Sequence, residues 1–174
     1  MKHLSLDTFN ELLSETTLKP RIKRELKFVA STQMLADDWS DRELLAIADR
    51  TGQKGVLLLQ PNADLYIASY ELSRTIVDSM TGRQRAIICD FCYTWQAGSN
   101  AASVTIADPV TKSSVRFLCC ADLNCSQHVR TLTKESIMSR AQLRESIDNN
   151  ARVQRLQTKL VGYIDQLHMQ KVDA

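Results

Sequence analysis

The sequence predicts an α+β fold, with a mainly helical N-terminal region followed by a domain that combines a β-hairpin with a long C-terminal helix. Three observations support this prediction. Apolar residues recur at helical spacing near both ends of the chain, short β-like apolar runs lie between them, and all five cysteines fall between Cys89 and Cys125. We therefore expect two parts, residues 1–82 and residues 83–174, with the second built around the cysteines.

The first helix is predicted close to the N-terminus. Apolar residues recur at positions 6, 9, 12 and 13 after Ser5, and Pro20 interrupts this pattern. A basic run follows at residues 19–27. It fits a contact patch for an acidic surface or a solvated face, and we favour the solvated face because charge runs more often have that role.

The rest of the N-terminal part carries a predicted hairpin and a second predicted helix. The apolar runs 44–48 and 55–60 flank a glycine-containing segment, which favours a β-hairpin, although residues 41–48 also fit a helix. Residues 63–80 show helical spacing and precede Gly82. Glycine often follows the last turn of a helix, so we expect Gly82 to end this one.

The C-terminal part has a clearer pattern. Residues 103–107 and 114–118 alternate in polarity and are joined by a turn that contains Pro109, which predicts a β-hairpin. Residues 151–169 predict an amphipathic helix that docks against the same chain. Its apolar stripe consists of Val153, Leu156, Leu160, Tyr163, Ile164 and Leu167.

Composition excludes several classes of protein. The net charge is only +2, from 22 basic and 20 acidic residues, which argues against a dedicated polyanion binder. The sequence contains no apolar stretch long enough to span a membrane, and its N-terminus lacks the apolar core of a secretory signal. We therefore expect a cytoplasmic protein in a reducing compartment, where clustered cysteines bind metals more often than they form disulfides.

The cysteines form two spaced pairs. Cys89 and Cys92 make a C-x2-C pair, Cys120 and Cys125 make a C-x4-C pair, and the 27 residues between the pairs contain the predicted hairpin. Four thiolates suit one Zn²⁺ in a closed site that stabilises the fold. Along the chain, a turn that carries the first cysteine pair (the zinc knuckle) is followed by a hairpin and then by a second pair that leads into a short helix. This is the order of elements in a treble-clef zinc finger. Asp122 is a candidate N-cap for that helix.

Two other residues compete for a place among the ligands. Cys119 adjoins Cys120, and neighbouring side chains of a strand point to opposite faces, so only one of them can reach the ion. We favour Cys120 and expect Cys119 to be a small buried apolar residue. His128 lies three positions after Cys125 on the same helix face and is chemically a good zinc ligand, so spacing alone leaves it open.

The sequence around the cysteines resembles one known family. Residues 88–94 read ICDFCYT and residues 118–130 read LCCADLNCSQHVR. These segments resemble the C-terminal treble-clef zinc-finger domain of elongation factor G-binding proteins, the FusB/FusC (FBP) family of fusidic acid resistance. The resemblance covers residues 85–170. This chain departs from the family in its hairpin, which has fewer glycines, and at Thr131, where the family has glycine.

The resemblance implies that Cys89, Cys92, Cys120 and Cys125 hold one structural zinc ion. His128 falls where the family usually has a tyrosine, which argues against ligation by His128. Family members bind translation elongation factor G and, in the resistance proteins, release it from stalled ribosomes. We therefore expect a zinc-binding adaptor of this kind and no enzyme activity, since common catalytic motifs are absent from the sequence.

Residues that could contact the partner are Trp95, His128 and Arg130, which flank the predicted knuckle and helix; aromatic residues and arginine are common interface anchors. The alternative function is RNA or DNA binding by the zinc finger, in which Tyr93 and Trp95 would stack on bases. The basic residues that support this alternative are Arg116, Arg130, Lys134, Arg140, Arg144, Arg152, Arg155 and Lys159.

Overall fold

A computed structural model describes residues 1, 3–16, 18–36, 39–137 and 146–172. Its helices are α1 (Leu6–Glu15), α2 (Pro20–Ala36), α3 (Cys125–Val129), α4 (Lys134–Ile137) and α5 (Asn149–Gln166). Its strands are β1 (Leu44–Ala48), β2 (Lys54–Leu59), β3 (Leu65–Ser73), β4 (Ile87–Ile88), β5 (Trp95–Gln96), β6 (Ala101–Ala107), β7 (Ser114–Cys120) and β8 (Gln170–Val172). Both helices and strands are present, which confirms the predicted α+β class.

One antiparallel sheet organises the molecule, with the strand order β1-β2-β3-β6-β7. The long strand β3 pairs with β2 along one edge. On its other edge, the first half of β3 pairs with β8 and the second half pairs with β6. Strands β4 and β5 form a separate two-stranded ribbon. Strands from both sides of residue 82 thus belong to the same sheet, and the division of the chain at that residue stays a prediction.

The sheet is covered on both faces because its strands are apolar on both sides. In β2, Val56 and Leu58 pack in a core with α1 and α2, whereas Leu57 and Leu59 pack in a second core with the cysteine region and α5. Successive side chains of a strand point to opposite faces, which explains this division. The cysteine region therefore builds directly on one face of the central sheet.

The predicted terminal helices are both present. Ser5 caps α1 by accepting a hydrogen bond from the Thr8 amide at 3.0 Å, and Asp148 caps α5 by accepting one from the Ala151 amide at 2.8 Å. The buried residues of α5 are Leu156, Leu160 and Ile164. They lie one turn apart on a single stripe, so α5 docks on its own chain as expected. No helix among the described residues is long and apolar enough to cross a membrane.

Both predicted hairpins are present, but the predicted helix over residues 63–80 is wrong. Residues 44–48 form β1, which pairs with β2, and β6 pairs with β7. Residues 65–73 form β3. Its first half, residues 65–68, is apolar on both faces, and in its second half the buried Tyr70 and Leu72 alternate with the more exposed Ser69, Glu71 and Ser73. Gly82 does not end a helix; it takes a φ of 65° in a turn where its amide donates to the Asp78 carbonyl.

The short helix α3 is fastened to the start of β1. The Ser126 hydroxyl accepts hydrogen bonds from the amides of Glu43, at 2.9 Å, and Leu44, at 3.2 Å. The Arg130 guanidinium donates to both carboxylate oxygens of Glu43, at 2.7 and 3.0 Å. The Glu43 side chain is only 6% exposed and that of Arg130 19%, so this bidentate ion pair is largely shielded from water. We call these contacts of Ser126 and Arg130 the β1–α3 clamp.

The clamp yields a stability prediction. Glu43→Gln removes the carboxylate that pairs directly with the shielded Arg130 guanidinium, so we expect the free energy of unfolding to fall by about 3 kcal/mol. Urea denaturation monitored by circular dichroism measures this change. Glu71→Gln is the matched control, because Glu71 pairs with Lys54 at the surface, where its side chain is 66% exposed. The control should cost less than about 1 kcal/mol. Equal losses in the two variants would contradict the role of the clamp.

Candidate metal centre

Three local structures bring four cysteines to one point. Cys89 and Cys92 lie in the turn after β4, Cys120 is the last residue of β7, and Cys125 is the first residue of α3. The knuckle between the first two closes because the Cys89 carbonyl accepts from the Tyr93 amide at 2.9 Å, with Tyr93 at a φ of 58°. Sequence spacing predicted this convergence.

The second pair needs its own turn because its spacing is wider. Leu123 has a φ of 51°, and its amide donates to the Cys120 carbonyl at 3.0 Å. This turn brings the chain back so that Cys125 can face Cys120. The four intervening residues of the C-x4-C pair are thus accommodated by a compact loop between β7 and α3.

The distances between the sulfur atoms fit a tetrahedral metal site. Sγ of Cys89 lies 3.7 Å from Sγ of Cys125, and Sγ of Cys92 lies 3.5 Å from Sγ of Cys120. Sγ of Cys120 lies 4.0 Å from Sγ of Cys125, and all four atoms lie within 4.8 Å of one another. A tetrahedron with Zn–S bonds of about 2.3 Å requires sulfur atoms about 3.8 Å apart. A disulfide would require about 2.05 Å, and all five thiols are free.

The chemistry of the buried thiols also fits a divalent cation. Burial opposes ionisation of Cys92, yet hydrogen bonds from Cys120, Cys125, Cys89 and Thr94 hold the pKa of Cys92 well below its usual range. The pKa of Cys125 is raised, because its hydrogen bonds with the other three thiols favour its neutral form and because it is buried. Zn²⁺ would offset two of the four thiolate charges and bond directly to all four sulfur atoms, so the residues present fit one structural zinc ion.

Further contacts hold the knuckle in place. The Thr94 hydroxyl is fully buried and lies 2.6 Å from Sγ of Cys92. The Asp90 carboxylate accepts from the Leu118 amide at 2.6 Å, and the Asp90 amide donates to the Leu118 carbonyl at 2.9 Å. Outer partners of this kind orient metal ligands. Sequence reasoning did not assign Thr94 or Asp90, although both stand inside the ICDFCYT segment.

Cys119 has the place predicted for it. It is fully buried in the core and lies outside the four-thiol group. It stands opposite Ala102 in the β6–β7 pairing, one position before Cys120, which stands opposite Ala101. Burial, followed by the nearby Cys89 and Cys92, raises the pKa of Cys119 and keeps this thiol neutral.

His128 is buried and its ring nitrogens both have partners in this chain. Nδ1 lies 2.6 Å from the Thr133 hydroxyl and Nε2 lies 3.1 Å from an Asp122 carboxylate oxygen. Burial opposes ionisation of Asp122, but the hydrogen bond and charge of His128 hold the pKa of Asp122 below its usual value. Asp122 is not the N-cap of α3; Asn124 has that position, and Asp122 accepts from its amide.

The three residues predicted to contact a partner have different surroundings. Arg130 belongs to the β1–α3 clamp, and His128 is fully buried, so both stabilise the fold from inside. Trp95 lies half-exposed on β5, paired with Ile88, which is 58% exposed. A role in partner binding stays a prediction. The basic residues Arg140 and Arg144, named for the nucleic-acid alternative, lie outside the described residues.

With this geometry established, comparison with known protein families is informative. The family model described as FBP C-terminal treble-clef zinc-finger matches residues 17–167. This chain belongs to the FBP family. The match extends beyond the segment around the cysteines and takes in α2 and β1–β3, so the FBP region of this chain includes every strand of the described central sheet except β8. No curated protein and no solved structure matches the chain.

Membership of the FBP family and the four-thiol cluster together predict a metal dependence that single variants can test. Cys125→Ala removes one of four ligands, so the purified variant should lose stoichiometric zinc and most of its cooperative unfolding, because a structural zinc site supplies folding free energy. Cys119→Ala is the matched control and should keep one zinc per chain. Elemental mass spectrometry and thermal denaturation measure both properties. Equal zinc contents in the two variants would contradict the assignment of the ligands.

Proposed function

We propose that this member of the FBP family is a zinc-bearing adaptor that binds translation elongation factor G. On this proposal it acts in the cytoplasm and promotes release of the factor from the ribosome, as in fusidic acid resistance. The observation that carries the proposal is the family match over residues 17–167, together with the sequence motifs shared with elongation factor G-binding proteins. Both point to a protein partner.

The chemistry of the metal centre supports a binding role over catalysis. Four thiolates complete the coordination of a tetrahedral zinc ion, whereas catalytic zinc keeps a position for water or substrate. All four cysteines are at most 1% exposed, so a substrate has no path to the metal in this arrangement. On the proposal, the protein is not an enzyme, and the ion maintains the shape of the surface that the partner meets.

Nucleic-acid binding is the second candidate, and one observation favours it. The Tyr93 ring is 39% exposed and has the cationic groups of Arg155 and Lys159 within 5 Å of its centroid, at 4.6 and 4.5 Å. Aromatic rings beside cations bind unpaired bases in many proteins. The net charge of +2 is small for this role, so the protein partner remains our first proposal.

Direct binding separates the two candidates. Purified zinc-loaded protein should bind purified elongation factor G in isothermal titration calorimetry, and binding should persist after nuclease treatment. Added to ribosomes stalled by fusidic acid, the protein should increase the fraction of the factor recovered free of ribosomes after sedimentation.

A different binding result would contradict the adaptor proposal. If elongation factor G does not bind but ribosomal RNA binds with an affinity that falls steeply with salt, the adaptor proposal is wrong and the nucleic-acid candidate replaces it. Chelator-treated protein is the control: if it binds the factor as well as the zinc-loaded protein, the metal does not shape the contact surface.

A further inference from the structure

A shallow groove runs along the outer face of α5. It has a volume of about 510 Å³, and its lining comes from one side of the helix: Arg155, Thr158, Lys159, Gly162, Tyr163 and Gln166. Gly162 adds no side chain to this lining, and a Cβ at this position would meet nothing within 4 Å. The hydrocarbon stems of Arg155 and Lys159 and the ring of Tyr163 are apolar, so the groove can also accommodate apolar side chains.

The zinc knuckle meets α5 beside this groove. Tyr93 follows Cys92 directly, and its ring lies against the cationic groups of Arg155 and Lys159. The Lys159 ammonium also donates to the Tyr93 hydroxyl at 3.0 Å. Tyr163, which lines the groove, donates from its hydroxyl to the Asp90 carbonyl at 3.2 Å and stacks edge-on against Phe91. The metal centre therefore positions one end of the groove.

The charge of the groove determines which kind of partner segment it can bind. Its described lining residues contribute two positive charges and no carboxylate. The nearest acidic residue of the knuckle, Asp90, directs its carboxylate to the Leu118 amide. A surface that is positive and partly apolar complements a segment that carries carboxylates and some apolar side chains.

The extent of the charge favours a protein segment over a nucleic acid. Nucleic-acid sites follow the phosphate backbone with an extended basic track, and this groove offers two cations in a chain of net charge +2. Arginine and tyrosine are enriched at the centres of protein interfaces. We propose that the groove on α5, beside the Tyr93 ring, binds an acidic, carboxylate-bearing segment of the protein partner. This inference rests on the proposed function.

Charge reversal tests this assignment with a matched control. The groove variant Arg155→Glu/Lys159→Glu should bind purified elongation factor G at least tenfold more weakly than the unchanged protein, because each substitution places a carboxylate against an acidic segment. The control Arg24→Glu/Lys27→Glu makes the same change in charge at two exposed residues of α2, which packs on the opposite face of the sheet. It should bind within twofold of the unchanged protein.

Other readouts separate lost binding from lost folding. Both variants should keep one zinc per chain, and the conservative variant Arg155→Lys/Lys159→Arg should bind nearly as well as the unchanged protein because it keeps both charges. If the groove variant loses zinc, the comparison passes to Arg155→Gln/Lys159→Gln, which removes both charges without adding carboxylates. A weakened affinity in that variant supports the groove, and an unchanged affinity overturns it.

The possible failures are distinguishable. If the unchanged protein does not bind elongation factor G, the proposed function fails and this inference fails with it. If the unchanged protein and the groove variant bind equally well, the proposed function stands and the groove is overturned as the site. If the groove variant keeps its affinity for the factor but loses affinity for ribosomal RNA, the groove serves a nucleic acid and this inference is also overturned.

Discussion

Four thiolates in one buried cavity repel one another, and only a bound cation makes that arrangement stable. This constraint organises the C-terminal half of the described structure. A zinc ion held by Cys89, Cys92, Cys120 and Cys125 joins the turn after β4 and the start of α3, which are both short elements, to the end of the longer strand β7. Helix α3 has five residues and β4 has two, so neither buries enough apolar surface to hold its own conformation.

The influence of the metal centre continues into the rest of the fold through polar contacts. Helix α3 reaches β1 through the β1–α3 clamp, and the knuckle reaches α5 through the Tyr163 hydroxyl and the ring of Tyr93. The segment of residues 125–130, in which only His128 departs from the family motif, thus has a structural explanation in this chain. Its cysteine binds zinc, its serine and arginine hold the first strand of the sheet, and its histidine supports the turn between β7 and α3.

Much of this architecture could be predicted from the sequence because its signals are local. The spacing of Cys89, Cys92, Cys120 and Cys125 gave the metal site, and the alternation in residues 103–118 gave the β6–β7 hairpin. The error over residues 63–80 has a physical cause: β3 lies at the centre of the sheet, and its first half is apolar on both faces, which interrupts the alternation that its second half keeps. Contacts between residues distant in the sequence could not be predicted either, since nothing near Glu43 in the sequence indicates a contact with Arg130.

The same limit applies to the choice of surface residues. Residue type suggested His128 and Arg130 as partner contacts, but type does not tell whether a side chain points inward. Both side chains make contacts within the fold, and their role in partner binding stays a prediction. Tyr93 is separated from Arg155 and Lys159 by more than sixty residues, so only the fold brings its ring against their cationic groups. The surface that carries the proposed function therefore follows from tertiary structure.

The central claim is that the metal holds the finger together and, through α3, the edge of the central sheet. Hydrogen exchange on zinc-loaded and chelator-treated protein tests it most directly. After chelation, exchange should become faster at the Leu118 amide of the finger and also at the amides of Glu43 and Leu44, which donate to Ser126. Unchanged exchange at Glu43 and Leu44 in protein shown to have lost its zinc would contradict the claim.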